Sequence, residues 1–174
     1  MLDMASIVSP MTDSVAQSAF FWSATMSKGN IERFDTHTGQ IFAYLYDHFP
    51  VPVTLDVRKF VENATRWSEH LDMEVPTERA DFFTATVRWL GDAGYIRSKK
   101  IIGGFLIEES VLTAKALEVL KATPDSLTGA SIGEKMQEAA SEGMLEALKG
   151  LANQALSRGV GMATTAAVSM AGSI

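Results

Sequence analysis

The stretch WLGDAGYIRSKKIIGGFLIEESVLTAKALEVL, residues 89–120, constrains the fold more than any other part of the chain. An apolar stripe of helical period, Ala80, Phe83, Val87 and Leu90, runs into it and stops just before Gly94. Glycine takes the left-handed conformation that closes a helix at least cost, so the spacing predicts a helix ending there. Residues 95–98 and 105–112 then read as two strands, with Gly103 and Gly104 supplying turn freedom between them. Thr113 is a suitable N-cap for a helix bearing Ala116, Leu117 and Leu120, and Pro124 closes the unit.

Upstream, residues 1–33 read as an N-terminal arm, with one helix at roughly 11–26 and a break at Gly29-Asn30. Ile41, Phe42, Leu45, Tyr46 and Phe49 form the stripe of an amphipathic helix that Pro50 and Pro52 terminate. Val51-Pro52-Val53 is expected as a short edge strand. LDVRKFVEN places Leu55, Val57, Phe60 and Val61 on a short second helix. ATRWSEHLDMEVPT is an insertion in which Trp67, Leu71 and Val75 fall four apart, the spacing of a helical turn or two. Thr77 is the expected cap of the helix that ends at Gly94.

Helix, helix, helix, hairpin, helix is the order of a winged-helix domain, and residues 34–122 resemble that family through VRWLGDAGYI and VLTAKALEVL. The resemblance covers about half the chain. It implies a mainly α protein with a small β-hairpin wing, flanked by the N-terminal arm (1–33) and a C-terminal helical extension (123–174). It further implies duplex DNA as a partner, with the third helix in the major groove and the wing on the backbone. The cations available for that contact are Arg97, Lys99 and Lys100 on the wing, Arg79 and Arg88 on the third helix, and Arg58 with Lys59 beside them. The third helix should face outward with Glu78, Arg79, Asp81, Ala85, Arg88 and Asp92, where acids weaken a phosphate-binding face. The insertion is longer than the tight turn usual between the second and third helices.

The extension differs in kind. Ile132, Met136, Ala140, Met144, Leu148, Leu151 and Ala155 fall along one helical side, and no charge occurs after Arg158. Ala155, Gly159, Ala163, Ala167 and Ala171 recur every four residues, an arrangement that lets helices approach closely. This row is expected to mediate self-association or contact with another protein. It is short and only mildly apolar for a membrane span.

Composition bounds the function. The chain has 174 residues, no cysteine and a net charge of −6. Thiolate metal sites, disulfides and a cysteine nucleophile are thereby excluded. An acidic chain argues against a general phosphate-binding surface, although residues 56–100 balance acids and bases. Asp3 and a broken apolar pattern make a poor export signal, so a cytoplasmic protein is the expectation. Glu69, His70, Asp72 and Glu74 alternate oxygen and imidazole groups, but such a loop reads as hydrated rather than metal-binding. No Gly-x-Ser-x-Gly elbow, phosphate loop or dinucleotide fingerprint occurs. The sequence reading is therefore a non-enzymatic regulator without cofactor or metal that touches DNA, or a protein-binding adaptor assembled through its C-terminal helix, with a membrane-active tail controlled by the domain as a third and less favoured reading.

Overall fold

The computed structural model describes the backbone of residues 13–121 and 129–171, and side-chain surroundings within 29–121 and 129–159. The chain divides into two compact units, Met1–Arg33 and Phe34–Ile174. The described part of the first is helical and belongs to α1 (Asp13–His48), which runs through Gly29 and Asn30 without the expected break. An isolated glycine costs a helix about 1 kcal/mol relative to alanine, too little to interrupt one this long.

The second unit is mixed α and β. After α1 come β1 (Val53–Asp56), a single 3-10 turn (Val57–Lys59), a hairpin of β2 (Thr65–Ser68) and β3 (Met73–Pro76), and α2 (Glu78–Asp92). Three short strands follow, β4 (Ile96–Arg97), β5 (Ile101–Ile102) and β6 (Leu106–Leu112), then α3 (Ala114–Leu120), α4 (Ile132–Ser141) and α5 (Leu145–Ala171). The return strand β6 is central: it pairs antiparallel with β1, β4 and β5, while β2 and β3 form a separate two-stranded sheet.

Three expected elements differ. The second helix over residues 55–63 is instead strand plus one 3-10 turn. Leu55 and Val57 are both fully buried, which is strand alternation, and Leu55 pairs with Ile107. Val57 donates its N–H to the Phe105 carbonyl, and the Asp56 carboxylate accepts from the Arg58 N–H. A nine-residue helix is marginal alone, and the strand partner wins. The expected strand at 51–53 is displaced to Val53–Asp56 for the same reason. The insertion is a hairpin rather than helical turns, with Trp67 opposite Glu74 and Ser68 opposite Met73.

The single apolar side expected along residues 132–155 is broken by a turn between α4 and α5. Gly143 has φ +69° there, a conformation L side chains avoid. Ile132, Met136 and Leu148 are buried, whereas Ala140 and Met144 on the same nominal stripe are exposed. The capping box expected of a firm start is present at α4: Ser131 Oγ accepts from the Glu134 N–H, and the Glu134 carboxylate accepts from Ser131.

The core joins both halves of this unit. Phe42 and Leu45 of α1, Phe83 and Leu90 of α2, Ile107 of β6, Met136 of α4 and Leu148 of α5 are at most 1% exposed. Each such side chain contributes about 1.5–3 kcal/mol by burial. Residues 129–159 thus belong to the same core as the sheet. Asn153 donates to the Asp35 carboxylate at 2.8 Å, a polar clip between α5 and α1.

Candidate interaction surfaces

The outward face of α2 carries the residues anticipated for it: Glu78, Arg79, Asp81, Ala85, Arg88 and Asp92 are all exposed. Their arrangement is poor for phosphate. At about 100° per residue the centre of that face is Glu78, Asp81, Ala85 and Asp92, while Arg79 and Arg88 lie about 180° apart around the axis. The flank is occupied too. Phe34 of α1 meets Trp89 edge-on at 5.0 Å, and His37 stands 6.0 Å from Phe82 and 5.2 Å from Phe83. Trp89 remains 49% exposed.

The expected wing, β4 to β6, brings Arg97, Lys99 and Lys100 together at the turn into β5, but acids on β6 face them. Lys99 Nζ lies 2.7 Å from Glu109 Oε1, and Lys100 Nζ lies 3.8 Å from Glu108 Oε2. The Glu109 carboxylate raises the Lys99 ammonium above its ordinary value through that hydrogen bond. Glu109 itself sits at φ +51°, an irregular position that aims its side chain outward. Arg97 is exposed, and among the described residues it has no ion pair. Arg58 is committed: its guanidinium forks onto Asp56 at 2.9 and 2.8 Å and covers the Phe105 ring. That side-chain hydrogen bond holds the Asp56 carboxyl below the ordinary carboxylate range. Lys59 is exposed beside it.

The β2–β3 hairpin is the reverse case. Trp67, Leu71 and Met73 are 59%, 57% and 51% exposed. Trp67 lies opposite Glu74 and Met73 opposite Ser68, so the large side chains stand on both faces around the tip. The hairpin base is tied down: Thr77 Oγ1 donates to the carbonyls of Asn63 and Ala64, and its N–H also reaches Ala64. Thr77 occupies the N-cap of α2 but gives it no side-chain cap. Sequence reasoning missed this surface because the Trp67/Leu71/Val75 spacing imitates a helix. Alternation of Arg66, Trp67 and Ser68 against Met73, Glu74 and Val75 was the available signal. Among the described residues no group of three or more His, Asp or Glu side chains is placed to hold a metal ion.

The small-residue row divides. Ala155 is fully buried and Gly159 is buried, a Cβ at Gly159 being blocked by the Tyr95 hydroxyl. Both positions serve packing within the chain. The side chains of Ala163, Ala167 and Ala171 lie outside the described residues, though their backbone belongs to α5. Among the described residues no helix is long and apolar enough to cross a membrane. Comparison with protein-family models, curated proteins and solved structures returned no match.

Proposed function

We propose that the chain is a non-enzymatic protein-binding adaptor on a winged-helix scaffold, docking through the β2–β3 hairpin and assembling through α5. The observation that carries this reading is the exposure of Trp67, Leu71 and Met73 on one small hairpin. Tryptophan and methionine are enriched as interface anchors, and exposed apolar clusters mark interaction surfaces. The winged-helix part is supported by the strand order, with β6 between β1 and β4, and by the chain order, in which β4, β5 and β6 follow α2. The test is recovery of a defined complex from the native source with wild type and with Trp67→Ser, Leu71→Ser and Met73→Ser combined. Loss of one specific partner from the triple variant, at unchanged melting temperature, supports the reading. Identical recovery from both overturns it.

The uncharged end of α5 supports the assembly part: residues 160–174 carry no charge, and α5 continues to Ala171. A row of small residues permits close helix contact. Sedimentation of the full chain against one ending at Gly159 tests this, because that truncation spares the buried Ala152 and Ala155.

A second reading, regulation through duplex DNA, is favoured by Arg79, Arg88 and Arg97, which are exposed and have no ion pair among the described residues. DNA binding at low and moderate salt, with Arg97→Glu, Lys99→Glu and Lys100→Glu combined, tests it. Steep salt dependence that vanishes in the triple variant supports DNA contact.

A further inference from the structure

A groove of about 730 Å³ lies along α1, between it and the α4–α5 turn. Glycines set the helices around it. Gly133 of α4 packs on the Tyr46 ring, where a Cβ would come within 2.6 Å, and Gly39 packs on Leu148 of α5, where one would come within 2.8 Å of the carbonyl oxygen. The groove's apolar wall is Ala43, Tyr44, Phe60, Leu145 and Leu148, with the Tyr44 and Phe60 rings edge-to-face at 5.3 Å. Leu145 at the rim is 48% exposed and the adjoining Met144 is 44% exposed. Met144 belongs to a neighbouring hollow with Ala147, Gly150 and Leu151, which shares Glu138 with the groove and is also lined by Lys135. The charged groups lining the groove are carboxylates, Asp47 and Glu138; His48 stands just outside the lining, its ring 4.4 Å from that of Tyr44 and its Nδ1 3.8 Å from Asp47 Oδ2. Asp47 Oδ1 accepts from Gln137 Nε2 at 3.0 Å, which holds it at the rim.

We propose that this groove docks a short basic amphipathic segment of a partner protein, its apolar side chain against Tyr44, Phe60 and Leu145 and its lysines or arginines against Asp47 and Glu138. Charge complementarity selects this occupant. An apolar wall with an acidic rim repels acidic peptides and pairs with basic ones, and rim charges set partner choice more than total affinity. The chain's own segments do not meet the requirement. Residues 122–128 and 160–174 hold no lysine, arginine or histidine, and residues 1–28 hold Lys28 alone, so none of these stretches, nor the end of α5 from a second copy, supplies cations for both Asp47 and Glu138. Methionine beside the groove adds an adaptable surface of the kind that receives amphipathic helices. The groove is separate from the β2–β3 hairpin, so the two docking elements stand or fall independently.

The test uses the full chain and two synthetic peptides of the same leucine-patterned helix, one with lysine and the other with glutamate at every polar position. Backbone amide shifts of the isotopically labelled protein report the binding place. The lysine peptide should shift Gln40, Tyr44, Ser141 and Leu145 and bind at least about tenfold tighter than its glutamate twin at low salt. Leu145→Ser, which changes an exposed side chain and no charge, should weaken the lysine peptide by about fivefold or more. Glu138→Lys should weaken it comparably, whereas Glu69→Lys, an exposed change in the β2–β3 turn, should have little effect. Equal affinity of the twins, shifts centred on residues 65–76, no binding up to about 1 mM, or insensitivity to both Leu145→Ser and Glu138→Lys would each overturn the proposal.

Discussion

The strands after α2 and the β2–β3 hairpin before it use opposite chemistry. The expected wing, β4 with β5 and β6, buries Ile96, Ile107 and Leu112 and pairs Lys99 with Glu109 and Lys100 with Glu108, leaving Arg97 exposed. The β2–β3 hairpin leaves Trp67, Leu71 and Met73 to solvent. A two-stranded hairpin alone is marginal in water. The wing is stabilised by belonging to the core, whereas β2–β3 is held by its base, where Thr77 bonds Asn63 and Ala64. The lesson is that the element a winged-helix resemblance singles out is largely occupied with its own fold. The element that the resemblance treats as an insertion carries three exposed large apolar side chains within seven residues.

That contrast breaks first on stability. Ile107→Ala should destabilise the chain by about 2–5 kcal/mol, the range for a buried large-to-small change, read from urea unfolding. Leu71→Ala should fall within about 0.5 kcal/mol, as for an exposed side chain. A large Leu71 effect would place the hairpin in the core and remove the contrast. Gly104 joins the two regions: it sits at φ +79°, and a Cβ there would come within 3.0 Å of Pro76 Cγ. Its carbonyl accepts from Thr84 Oγ1. Gly104→Ala should therefore cost about 1–2 kcal/mol from backbone strain, and a neutral result would show that the hairpins adjust independently.

Acid titration sharpens the contrast further. The Arg58 guanidinium holds the folded-state carboxyl of Asp56 below its ordinary value of 3.8. Its contribution is therefore present above pH 3.8 and lost as pH falls through the lower folded value. Asp56→Asn should flatten that part of the acid profile, while Trp67→Ala should leave the profile unchanged. The last comparison is the full chain against one ending at Gly159. Its readout is sedimentation, where a lower and concentration-independent mass supports assembly through the end of α5. An unchanged mass would remove that role.

Local patterns were legible in the sequence and non-local pairings were not. The α2 stripe of Ala80, Phe83, Val87 and Leu90 is buried, because helical period within one element reports its inner face directly. Thr113 caps α3, accepting from the Ala116 N–H, as its place before an apolar run suggested. Leu55 and Val57 misled because their fate depends on Ile107 and Phe105, some fifty residues away along the chain, which no short window contains. Trp67, Leu71 and Val75 misled because four-residue spacing arises by coincidence in a hairpin whose tip separates the strands. The candidate cations were legible in the sequence as exposed positions. Their pairing was not, since Glu108 and Glu109 reach Lys100 and Lys99 only through strand register.

The most direct test of the division between the hairpins is photo-crosslinking in the native source, with benzoylphenylalanine replacing Trp67 in one full-length chain and Arg97 in another. Mass spectrometry then identifies the adducts. The expected result is a discrete protein adduct from position 67, with no nucleic-acid adduct from position 97. Nucleic acid attached at position 97, with no discrete protein at position 67, would contradict the assignment of docking to β2–β3 and return the wing to the centre of function.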